Sequence, residues 1–215
     1  MRFRVLFLDL DDTLYPSSSG VWQAIGERIN DYIELRLGIP RPQVAALRDR
    51  YFRTYGTTLN GLLRHHGVDP HDYLDYVHDL ALEERLAPDR ELRALLERLP
   101  QKRVVFTNAS RGHAERVLAA LDIRPAIDQV VDILALEMVN KPRPESYQRA
   151  MALAGEADAR ACVVVDDSPA NLQAAAALGM TAVRVGPPGA DGAEPLRIDR
   201  IGDLLRAVPD LLGSS

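Results

Sequence analysis

FRVLFLDLDDT, residues 3–13, sets a nearly continuous apolar run directly before three aspartates, Asp9, Asp11 and Asp12. A short apolar run without alternation reads as a strand buried on both faces, as in a parallel sheet. Outward from it the chain changes character twice. Through residues 20–85 apolar positions recur at helical spacing, over 21–37, 44–55, 59–65 and 73–86, punctuated by Pro40, Pro42, Gly56, Gly67 and Pro70. From Pro88 onward helices and strands alternate. Helix 88–99 precedes strand 102–107 (KRVVFT), and helix 111–122 follows behind Ser110 as N-cap. An apolar stretch spans 130–136, Pro144 opens a helix to about 154, and strand 161–165 (ACVVV) comes next. Helix 169–178 starts behind Ser168 and stops at Gly179 as C-cap; strand 181–185 (TAVRV) and a last helix near 201–212 complete the pattern. Residues 186–195 (GPPGADGAEP) form a loop by composition. Alternation of this kind predicts a doubly wound α/β core with a parallel sheet, residues 1–16 and 86–215, carrying an all-helical insertion at 17–85.

The 215 residues suffice for one core domain with a small insertion. Hydrophobic residues at 47% and charged residues at 27% describe a globule that needs no covalent staple to fold. A net charge of −5 argues against a nucleic-acid polymer as partner. The single cysteine, Cys162, forms neither an internal disulfide nor a thiolate metal cluster, and reads as a small buried hydrophobe in a cytoplasmic protein. The apolar run before Asp9 is too short for a signal peptide, and no window is long enough to span a membrane. Only two of the 26 basic residues are lysine, Lys102 and Lys141. A lysine in so arginine-rich a chain suggests a place where a compact ammonium is needed.

In a doubly wound sheet, ligands bind beyond the carboxyl ends of the strands. Chemistry is therefore expected just after residues 8, 106 and 165, and the polar residues cluster there: Asp9, Asp11 and Asp12; Thr107 and Asn108; Asp166 and Asp167. Lys141 stands just before the helix that Pro144 opens. Carboxylates crowded at adjacent strand ends repel one another, and a hard divalent cation such as Mg²⁺ relieves that repulsion. Cation, ammonium, hydroxyl and amide donors, and a free carboxylate are the parts that hold a phosphoryl group and attack it.

This set, D-x-D-x-T at 9–13, Thr107, Lys141 and the acidic pair 166–167, resembles the haloacid dehalogenase (HAD) superfamily in its phosphatase branch. The resemblance implies that Asp9 is the nucleophile and forms an aspartyl-phosphate, while Asp11 protonates the leaving oxygen and then activates water. It implies that Thr107, Asn108 and Lys141 bind the substrate phosphate. It also implies that Asp9, the Asp11 carbonyl and Asp167 bind Mg²⁺, with Asp166 in or beside the metal's coordination shell. Asp12 fills a variable position and receives no catalytic role. The insertion looks like the family's helical cap, which closes over the site and selects substrate. Within it, YGTTLNGL (residues 55–62) is similar to a segment of pyrimidine 5′-nucleotidase-like members, as is DLDDTLYP at 9–16.

The expectation is thus a Mg²⁺-dependent phosphatase of small phosphomonoesters, with a pyrimidine nucleoside 5′-monophosphate favoured, as a monomer or weak homodimer. A β-phosphoglucomutase-like phosphotransferase or a sugar-phosphate phosphatase shares the core residues. A non-catalytic phosphate-binding regulator would normally lack Asp9 or Asp11, and both are present. So is the acid at residue 11 that a dehalogenase does not need, and no lysine lies between residues 13 and 101 to serve phosphonatase chemistry. Tyr51, Phe52 and Tyr55 at helical spacing read as core, and His65 and His66 as a solvated helix end. His71, His78 and His113 match no metal-ligand spacing and receive no role.

Overall fold

The apolar run becomes a central strand. In a computed structural model, residues 2–187 and 196–213 are described; most of the predicted 186–195 loop lies outside them. The strands are β1 Val5–Leu8, β2 Lys102–Phe106, β3 Gln129–Val131, β4 Cys162–Asp166, β5 Thr181–Val185 and β6 Arg197–Ile198. The helices are α1 Val21–Leu37, α2 Arg41–Tyr55, α3 Thr58–His66, α4 Pro70–Val77, α5 Arg90–Arg98, α6 Arg111–Ala120, α7 Pro144–Ala154, α8 Pro169–Ala177 and α9 Leu204–Ala207. The strands form one parallel sheet in the order β3-β2-β1-β4-β5-β6. The chain builds outward on one side of β1 as far as β3, then returns to add β4 on the other side. The order therefore reverses between β1 and β4, which opens a crevice at their carboxyl ends.

Register fixes what meets there. Leu8 pairs with Val105 of β2 and Val165 of β4, so the residues that follow leave the sheet at one level. Asp9 N donates to Val165 O at 2.9 Å, and Thr107 N to Val131 O at 3.0 Å. All four β1 side chains and all five of β4 are buried, which is why both segments are apolar runs. On one sheet face Phe106 meets Phe7 and Tyr147 edge-on, at ring-centroid distances of 5.9 and 5.2 Å.

Two features of this part depart from the expected pattern. The last helix is not continuous: a 3₁₀ turn Ile201–Asp203, the one-turn α9 and a second 3₁₀ turn Pro209–Leu212 replace it. Pro209 has no N–H to continue the ladder, so the chain restarts there. Helix α8 is capped by Leu178, and Gly179 lies one residue further on, at φ +90°.

The described chain divides into two compact units, Gly20–Arg85 and the remainder. The 3₁₀ turn Ser17–Ser19 belongs with the sheet. In the helical unit Val21, Ile25, Ile29, Tyr32 and Ile33 of α1 are buried, as are Tyr73, Leu74 and Val77 of α4. Tyr32 stands edge-on to Tyr73 at 5.0 Å, and its hydroxyl donates to Asp72 at 2.8 Å. The periodic stretch 73–86 is shorter as a helix than its pattern suggests, ending at Val77 with a 3₁₀ turn at Leu82–Glu84. Tyr51 is buried as expected, but Phe52 is exposed. No helix among the described residues is long and apolar enough to cross a membrane.

Candidate active site

The loop after β1 turns back on itself at once. Thr13 N and Leu14 N both donate to Leu10 O, at 3.4 and 3.0 Å, and Asp12 adopts φ +58° between them. Aspartate tolerates that left-handed conformation better than most residues. The turn brings the Thr13 hydroxyl to Asp9 Oδ2 at 3.3 Å.

Lys141 reaches the same place from the segment before α7. Its side chain is buried, and Nζ donates to Asp9 Oδ1 and to Asp166 Oδ2, both at 2.7 Å. Asn108 clamps its backbone from both sides: Oδ1 accepts from Lys141 N at 2.8 Å, and Nδ2 donates to Lys141 O at 3.1 Å, where Asn140 Nδ2 also donates. The ammonium also lies 5.0 Å from the centre of the Phe106 ring. Thr107 is buried, and its Oγ1 accepts from Ala109 N at 3.0 Å.

Asp166 closes β4 with its side chain fully buried. Oδ1 accepts from Ser168 N and Asn171 Nδ2, both at 2.9 Å, and Oδ2 accepts from Lys141 Nζ and from Asn171 Nδ2 at 3.0 Å. Asp167 is half-buried, and carboxylate oxygens of Asp9, Asp166 and Asp167 lie within 4.8 Å of one another. Two side chains meet Asp11 at one oxygen: His113 Nε2 lies 2.8 Å from Oδ1, and the Tyr15 hydroxyl donates to the same atom.

Charge in this pocket is unbalanced. Burial pushes the Asp9 carboxyl up to about 8, against the pull of Lys141 and with Asp166 adding repulsion. Burial and then Asp166 raise Asp167; burial, then Asp167 and Asp11, push Asp12 up to about 6. Burial also works against the Lys141 charge, but Asp166 and Asp9 outweigh it and hold the ammonium protonated above its ordinary range. Of three converging carboxyls two share the one ammonium, and Asp12 Oδ1 is buried without a hydrogen-bond partner. An all-oxygen, electron-rich set of this kind fits a hard divalent cation.

Every residue singled out from the sequence at a strand end lies at the carboxyl edge of the sheet. Three further residues received no role from the sequence: Tyr15, His113 and Asn171. Helix α6 starts behind Ser110, which caps His113 N at 3.3 Å, and α8 starts behind Ser168, which caps Asn171 N at 3.4 Å. His113 and Asn171 therefore hold the same position, third after a serine cap. Helical side chains lean toward the amino end, so residues there turn back onto the strand ends. A serine cap at each strand exit was the available signal.

The family model described as haloacid dehalogenase-like hydrolase matches residues 3–179, a span that includes all of these side chains. Phosphate metabolism protein 8 of Saccharomyces cerevisiae is 28% identical over 193 residues, covering 82% of this chain; the chain spans 60% of that curated relative's length. Three solved structures share the fold. L-2-haloacid dehalogenase from Xanthobacter autotrophicus, with chloropropionic acid covalently bound, superposes with a TM-score of 0.61 at 17% identity, over 99% of this chain and 100% of that one. A HAD phosphatase from Thermococcus onnurineus gives 0.62 at 19%, over 95% and 96%. A HAD-hydrolase from Bacillus subtilis bound to magnesium gives 0.62 at 16%, over the full length of both chains.

Proposed function

The chain belongs to the haloacid dehalogenase-like hydrolase family, and from that premise we propose that it is a Mg²⁺-dependent phosphatase of small phosphomonoesters that works through an aspartyl-phosphate. The observation that carries this reading is the convergence of the Asp9, Asp166 and Asp167 carboxylates, within 4.8 Å of one another, with the buried Lys141 ammonium bonded to Asp9 and Asp166. Asp11, two residues beyond Asp9, supplies the acid that a phosphate ester needs and a carbon–halogen bond does not.

Asp9, the Asp11 carbonyl and Asp167 would hold the metal. When bound, Mg²⁺ offsets the negative charge shared by these carboxylates and the phosphoryl oxygens. The oxygens of Asp166 already accept from Ser168, Asn171 and Lys141, so its part is to fix the ammonium. Lys141 and Thr107 orient the phosphoryl oxygens. The Asn108 side chain is committed to the Lys141 backbone, and any share in phosphate binding falls to its main chain. Asp9 attacks phosphorus, and the ester oxygen leaves with the proton of Asp11. Asp11, now a carboxylate, takes a proton from water, which attacks phosphorus and releases Asp9 and inorganic phosphate.

The helical unit, Gly20–Arg85, follows this loop directly in the chain and is proposed as the substrate-selecting cap. The favoured substrate is a pyrimidine nucleoside 5′-monophosphate. The similarity of residues 9–16 and 55–62 to nucleotidase-like members supports that choice, and the yeast relative's name places it in phosphate metabolism. The magnesium of the Bacillus subtilis structure supports the metal. The test is phosphate release over nucleoside monophosphates, sugar phosphates and p-nitrophenyl phosphate with Mg²⁺. The highest kcat/KM is expected on a pyrimidine nucleotide. A higher value on a sugar phosphate overturns the substrate choice, and no release from any monoester overturns the function.

A further inference from the structure

Asp11 sits in an irregular loop, where a side chain ordinarily samples several rotamers. Here two donors from different parts of the chain converge on one of its oxygens. The Tyr15 hydroxyl comes from four residues along the same loop, and His113 Nε2 from 102 residues away, on α6. The His113 side chain is completely buried, and the Asp11 side chain is 12% exposed. In these hydrogen bonds both rings serve the one carboxylate.

Resting on the phosphatase reading, we propose that Tyr15 and His113 are positioning residues that lock the Asp11 carboxylate in the orientation its acid–base role needs. Locking the rotamer has a catalytic return. Ordering a side chain costs entropy, and an enzyme that meets this cost in folding does not meet it again in the transition state. The same argument explains a fully buried histidine in the first turn of α6, where a small apolar residue would pack without needing a polar partner.

The assay separates positioning from mere packing. kcat/KM reports the steps up to phospho-enzyme formation, where p-nitrophenolate leaves with little help and an alkoxide needs the Asp11 proton. Tyr15→Phe, His113→Leu and His113→Gln are compared with wild type on p-nitrophenyl phosphate and on an alkyl phosphomonoester, with Mg²⁺, alongside thermal unfolding. Tyr15→Phe and His113→Leu should lower kcat/KM on the alkyl ester by roughly 10- to 100-fold, a part of what a positioned acid supplies. The loss on p-nitrophenyl phosphate should be clearly smaller. His113→Gln, whose amide can donate from nearly the same place, should recover most of the difference. Equal losses on the two substrates, no loss on either, or failure of glutamine to recover more than leucine overturns the inference. Wild type that releases no phosphate from the alkyl ester overturns the phosphatase reading itself, a result distinct from all of these.

Discussion

The two lysines show how position alone divides identical side chains. Lys141 carries an ammonium shared by Asp9 and Asp166, each 2.7 Å away. Lys102 opens β2 opposite Val5, at the far end of the sheet, and donates to the Ala154 carbonyl at 3.0 Å. Lys141→Ala leaves buried carboxylates without their counter-charge, a change that typically costs about 3–5 kcal/mol when one partner of a buried pair is removed. It also removes a group aimed at the phosphoryl oxygens. Turnover should fall by on the order of 10²-fold or more, whereas Lys102→Ala should turn over substrate like wild type. Steady-state rates at saturating Mg²⁺ check this, and equal effects would contradict the assignment. At this scale the sequence showed Asp9 and Asp166 because short polar groups at the ends of apolar strands have few other places to go, and Lys141 because it is one of only two lysines in an arginine-rich chain. Tyr15, His113 and Asn171 were hidden because each acts by the direction of its side chain, which residue type does not announce.

Elements were legible where burial forces a pattern. β1 and β4 are covered on both faces, so each is a plain apolar run. β3 and β6 have three and two residues and leave no period to detect. The stretch 201–212 kept helical spacing, but Pro209 outweighs spacing because it cannot donate. The segment 55–62 holds a second lesson. Gly61, inside α3, faces the Tyr51 ring of α2, and a β-carbon there would lie 2.2 Å from that ring. This glycine is set by close helix packing, whatever role its neighbours have in recognition. Gly61→Ala should destabilise the helical unit by about 1–3 kcal/mol through overpacking, only partly offset by alanine's helix preference of roughly 1 kcal/mol. Chemical denaturation followed by a probe in that unit measures it; an unchanged or raised midpoint would show that Tyr51 moves aside without cost.

Across the whole molecule, opposite ends of the sheet carry different electrostatics. At the carboxyl ends, burial drives carboxyls toward protonation, the condition a cation relieves. At the amino ends Arg4 grips Glu156 through two bonds, at 2.6 and 2.8 Å, and holds that carboxyl down at about 2. Its contribution to stability is complete above the ordinary value of 4.5 and is lost as pH falls through about 2. The urea midpoint of Glu156→Gln should therefore trail wild type near neutrality, and the gap should close as the solution is acidified through that window. A gap that stays constant with pH would mean the pair contributes nothing through its charge. The carboxyl end is tested most directly by catching the covalent intermediate. Asp11→Asn should still accept a phosphoryl group from p-nitrophenyl phosphate with Mg²⁺, but should release it slowly, because the same side chain activates water. Intact mass after brief exposure should show one added phosphoryl group, mapped by peptide to Asp9, absent with EDTA and absent when Asp9→Asn is added to the same variant. An adduct that survives Asp9→Asn, or one that forms equally well without metal, would contradict the account.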